Sequence, residues 1–108
     1  MTNSVNERIA ILGENKTFID VIIDILKAVK LNQDDENTVN EITWIAHRER
    51  KKFQEMFGFN INDFALAALK WLNTEISIKS YNEEILKLDN DSKYLVEMLV
   101  DKQVYKDV

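Results

Sequence analysis

The stretch Thr17–Leu31, TFIDVIIDILKAVKL, decides the fold class. A threonine followed three residues later by an aspartate is a capping pair, because the hydroxyl and the carboxylate each satisfy a backbone N–H that has no partner in the first helical turn. With Thr17 as cap and Asp20 as its complement, the spacing predicts a helix from about Phe18 to Leu31. At 100° per residue Asp20, Asp24, Lys27 and Lys30 fall on one narrow polar strip, and Phe18, Val21, Ile22, Ile23, Ile25, Leu26 and Val29 cover most of the remaining circumference. So wide an apolar girth suits the central helix of a bundle.

The same signals recur on either side. The cluster LNQDDEN ends the first helix and offers Asp34 or Asn37 as the next cap, and periodicity carries that second helix to Phe57 with Gly58 as a left-handed stop. Val39, Ile42, Ala46, Phe53 and Phe57 share one face of it, flanked by Ile45 and Met56. Asn60 with Asp63 opens an apolar helix through FALAALKWL, with an extension past Thr74 left open. Glu75–Lys79 reads as a helix end or kink, and Ser80 with Glu83 as a box restarting a short helix at Tyr81 to Leu88. The run DND at 89–91 precedes a last helix from Ser92 to about Tyr105. A further short helix is expected over Val5–Leu12. Proline is absent and glycine occurs only at Gly13 and Gly58, which removes the usual punctuation of hairpins and favours helices. The expectation is an all-α bundle of four main helices with one or two short ones, in a single domain, the length being right for one core and short for two.

Composition narrows the function classes. Of 108 residues, 45% are hydrophobic and 31% charged, a globular balance rather than a disordered one. No cysteine is present, so neither a disulfide framework nor a thiolate metal site is available and a cytoplasmic location is the expectation. The first fifteen residues do not form a basic and then apolar leader, and Asp20 and Asp24 interrupt the longest apolar run, so no membrane span is expected. Abundant Asn, Ile and Lys fit an AT-rich genome, such as that of a low-GC bacterium or a phage.

The candidate binding residues come from WIAHRERKKF, Trp44–Phe53. On a continuous helix Arg48, Lys51 and Glu55 lie four, seven and eleven positions beyond Trp44 and stack on the side opposite the core seam. A guanidinium over an indole is worth about 0.5–1 kcal/mol at an exposed site, and Trp and Arg are the residue types that most often carry interface energy. Trp44, Arg48, Lys51 and Glu55 therefore form a candidate partner surface. In the competing reading Trp44 packs beneath the segment around Ile9 and Leu12, and the cations at 48–52 are a solvated face complementing the helix dipole. Asp34, Asp35 and Glu36 are a secondary acidic surface able to steer a basic partner. A second copy of the chain is another candidate partner, covering Trp44 and the girth of the first helix.

Other chemistries find less support. A helix–turn–helix outline surrounds FGFNI, but its second helix is apolar with one lysine, unlike a helix that reads base edges. The net charge of -5 disfavours a broad phosphate-binding surface, leaving nucleic-acid binding to the basic stretch Trp44–Lys52 as the alternative. His47 is the only histidine, which excludes a multi-histidine metal site. DNDSKYLVEM has Lys and Tyr where a calcium loop needs an oxygen ligand and glycine. Asp20 with Asp24 and Glu97 with Asp101 are spaced for shared magnesium, a carboxylate–magnesium nucleotide hydrolase being the second alternative. No catalytic residue, cofactor or metal is assigned. The leading expectation is a non-enzymatic protein-binding module of the general build of small inhibitors, immunity or antitoxin proteins and phage-encoded modulators.

Overall fold

The chain places its most deeply buried helix at the centre. In the computed structural model, which describes residues 8–108 apart from the Lys52 side chain, that helix is α3, Ile61–Leu72. Every residue from Ile61 to Leu69 is buried, and α3 packs on α1 (Phe18–Lys30), α2 (Glu36–His47), α4 (Glu75–Ile85) and α5 (Asn90–Lys102). The alanines at 65, 67 and 68 explain why: they let neighbouring helices approach on several sides at once. The fold is an all-α bundle whose only sheet among the described residues is a hairpin of β1 (Glu55–Met56) and β2 (Phe59–Asn60). Its radius of gyration is 13.2 Å, the roughly 13 Å of a compact chain this long.

The first helix forms as its caps dictate. Thr17 and Asp20 exchange hydrogen bonds of 3.1 Å in both directions. Its position differs from expectation, because Ile19 and Ile23 are partly exposed and only the face from Ile22 through Val29 is buried. α1 is a flank of the bundle, and α3 is its centre.

The second helix is cut short. Asp35 caps it through Thr38, but it ends at His47 with Arg48 extended, followed by a 3-10 turn at Lys52–Gln54 and the hairpin. The physical reason lies across the fold. The buried Asn62 side chain donates to the carbonyls of Ile45 and Arg48 at 2.9 and 2.7 Å, so two carbonyls of the helix end are satisfied without another turn. Val39, Ile42, Ile45 and Ala46 are in the core as the periodicity requires, whereas Phe53 and Phe57 are not. Gly58 is left-handed at φ 81°, in a hairpin link rather than a helix stop.

The remaining boundaries shift by local capping. Asn73 takes the left-handed region and stops α3, and Thr74 then caps α4 through Ser77, so Glu75–Lys79 is helical and Ser80 lies mid-helix. Asp89 caps α5 through Ser92, Gln103 ends it in the left-handed region, and Val104–Asp107 is a 3-10 turn. Of the expected Val5–Leu12 helix, residues 5–7 lie outside the described residues. Arg8–Leu12 is not helical: the Gln33 amide bonds both the N–H and the C=O of Ile9 at 2.8 Å, and Leu12 N–H donates to Glu41. Asparagine at 15, 32 and 73 supplies left-handed turns, which is how the chain manages with two glycines.

Candidate functional site

Where α2 stops, its last turn and the segment that follows present aromatic rings to solvent. Trp44 is 52% exposed, and the Arg48 guanidinium sits 4.7 Å from its ring centroid. Arg48 keeps this contact although its backbone is extended, since its flexible side chain reaches back along the final helical turn. Lys51 does not stack on Trp44; its ammonium lies 5.7 Å from the ring of Phe53, which is 73% exposed. Glu55 is in β1 and exposed. The expected single row is therefore two cation–aromatic pairs in series, with Glu55 set apart on the hairpin.

A buried ion pair anchors this segment. Arg50 Nη2 lies 2.7 Å from Asp63 Oδ1, and the Asp63 side chain is wholly buried. Asp63 also accepts from the N–H of Asn60 at 2.8 Å, closing the first turn of α3. Burial pushes the Asp63 carboxyl above the ordinary 3.8, against the opposing pull of the Asn60 N–H and of Arg50. Arg50 is thus a structural tether. Sequence reasoning placed it on a solvated face, and Asp63 carried no visible sign of a second partner.

The hairpin tip carries a third exposed aromatic. Glu55 pairs with Asn60 and Met56 with Phe59, leaving Phe57 and Gly58 as a two-residue link at φ 55° and 81°. Positive φ at both positions is the type I′ pattern. Phe57 is 86% exposed. Between the hairpin and the C-terminal 3-10 turn lies a cavity of about 500 Å³, floored by Leu26, Phe64 and Leu99 and bordered by Phe57, Lys102 and Asp107. In the sequence only Gly58 marks the link, since Phe57 is not a residue that announces such a turn and the strands Glu55–Met56 and Phe59–Asn60 are short and half polar.

The other candidates are engaged locally. Asp34 is half-buried and Glu36 exposed. Asp35 holds Thr38 and pairs with Arg8 at 3.3 Å. A little burial raises its carboxyl pKa, but the Thr38 hydroxyl and N–H and the Arg8 charge outweigh this and hold it below 3.8. His47 meets Glu84 at 3.1 Å, and Lys87 meets the same carboxylate at 3.0 Å. Burial pushes Glu84 up, but Lys87 and His47 together bring it below its usual value. Asp20 serves the α1 cap and Asp24 pairs with Lys16 at 2.7 Å. Among the described residues no three acidic or histidine side chains gather in a metal-binding group, and no helix is long and apolar enough to cross a membrane.

No protein-family model, curated protein or solved structure matches the chain.

Proposed function

We propose that the protein is a non-enzymatic interaction module that binds another protein through Trp44, Arg48, Lys51 and Phe53. The observation that supports this most is the pair of exposed rings, Trp44 and Phe53, each with a cation over its face, within ten residues of chain. Such rings lose solvent at little entropic cost because their cations and the Arg50 tether already restrict them. Among the described side chains of this stretch Arg48, Lys51 and Glu49 are in no ion pair, a positive balance, so the complementary partner surface carries carboxylates. A small inhibitor, an immunity or antitoxin protein, or a phage-encoded modulator acting in the cytoplasm fits this reading.

Cross-linking from a photoreactive residue at the exposed position 49 in the native host tests it. One partner is expected to cross-link and to be lost in Trp44→Ala/Arg48→Ala with the helical circular dichroism unchanged. Equal cross-linking by the double variant rejects the surface. Binding to single-stranded RNA that weakens steeply with salt would instead select the nucleic-acid alternative.

A further inference from the structure

Phe57 is in a conformation that suits another residue. A type I′ link is best served by Asn or Asp before Gly, because short polar side chains tolerate the left-handed region and bulky ones are strained there. At φ 55° Phe57 works against the stability of its own hairpin, and at 86% exposure it regains little by packing within the monomer. A contact outside the monomer accounts for such a placement.

The receptor for that contact is beside it. The cavity between the hairpin and the Val104–Asp107 turn has an almost wholly apolar wall and a volume of about 500 Å³, within the range that accepts compact apolar groups. Phe57 forms part of its rim, so projection and recess lie on one patch. A patch that carries both is self-complementary, and a two-fold axis lets each copy give and receive while closing the assembly at two. The rim charges agree with this symmetry. Lys102 and Asp107 both border the mouth, and neither is in an ion pair among the described residues, so each can meet its opposite on the other copy.

We propose that this face is a homodimer interface in which Phe57 of each copy enters the apolar cavity of the other. Two exchanged phenyl rings remove roughly 150–250 Å² each from water, and the flanking Met56 and Val104 add to the contact. The interface shares no residue with the Trp44 surface, and either can fail without the other.

Sedimentation equilibrium of the full chain from about 1 to about 300 μM tests it, dissociation being a mass-action effect readable across that range. The wild type is expected to pass from monomer to dimer. Phe57→Asn, which removes the ring and suits the turn, is expected to weaken the dimer at least about tenfold, a loss of about 1.4 kcal/mol. Val104→Trp, which fills the recess from its other wall, is expected to do the same. Mixing the two variants is expected to restore partial dimer, since one intact ring then meets one intact cavity. A wild type that stays monomeric throughout, or a dimer unaffected by Phe57→Asn, overturns the proposal. A monomeric wild type whose cavity resonances shift with decanoate would assign the recess to small amphiphiles instead, and equally overturns it. If Val104→Trp loses its helical signal, the Phe57→Asn result decides alone.

Discussion

Phe57→Asn is expected to stabilise the monomer, because the backbone gain exceeds the packing loss. A non-glycine residue in the left-handed region costs about 1–2 kcal/mol relative to right-handed backbone, and asparagine relieves a large part of this through local hydrogen bonding. Against it stands the lost contact of the ring. Full burial of a phenylalanine is worth about 1.5–3 kcal/mol, but with 86% of Phe57 exposed only about a seventh of that, a few tenths of a kcal/mol, is available to lose. The net gain is about 1 kcal/mol, which for a chain of this size raises the melting temperature by about 4–6 °C and the urea midpoint by about 0.5 M. Circular dichroism at a concentration low enough to keep both proteins monomeric measures it. The slope of the urea transition should not change, since the exposed ring contributes little to the buried surface. A lower midpoint in the variant would refute the reasoning, showing that the ring packs in the monomer more than it strains the turn.

Other perturbations test the anchoring of the 48–60 segment and its caps. Asn62→Ala deprives the Arg48 carbonyl of its donor and leaves the Ile45 carbonyl with only the Arg48 N–H at 3.3 Å, and is expected to cost about 1–3 kcal/mol in urea unfolding. Asp63 has a folded pKa raised above 3.8 by burial, so its ionisation opposes folding: the penalty is absent below the unfolded pKa and complete once pH has risen through the folded one. Asp63→Asn, measured against wild type, should therefore compare more favourably at neutral pH than in acid; the opposite trend would contradict the assignment. Asp35→Ala removes the α2 cap and should cost about 1 kcal/mol at neutral pH. Because the folded pKa of Asp35 lies below 3.8, that cost should fade as pH drops below this value, in paired denaturation curves. A double-mutant cycle on Trp44 and Arg48 should return a coupling of about 0.5–1 kcal/mol, as for an exposed cation–π pair.

The capping pairs were legible because each is complete within four residues. Thr17 with Asp20 and the Asn60 N–H with Asp63 form as their spacing requires, since a side chain three positions from an unpaired N–H finds it locally, whereas the α2 cap, expected at Asp34 or Asn37, is Asp35 with Thr38. Periodicity served as well only while the helix lasted. Val39, Ile42 and Ala46 are buried, but extending the same row to Phe53 and Phe57 assumed a helix that had already ended. The donor that completes its end, Asn62, is 17 and 14 residues from the carbonyls it serves, and nothing local announces it. The candidate site shared this outcome. Trp44 and Arg48, four apart, meet as the spacing requires, while Lys51 and Glu55 follow the new course of the chain.

By itself the sequence determined the helical class, most helix starts, and the pairing of Trp44 with Arg48, because these depend on contacts three or four residues apart. Tertiary structure alone decided which helix is central, where α2 stops, and that Phe53 and Phe57 face outward. Those outcomes turn on the buried Asn62 amide and on Asp63 pairing with Arg50, polar groups whose partners become available only when α2, the hairpin and α3 have packed together and excluded water from the space between them.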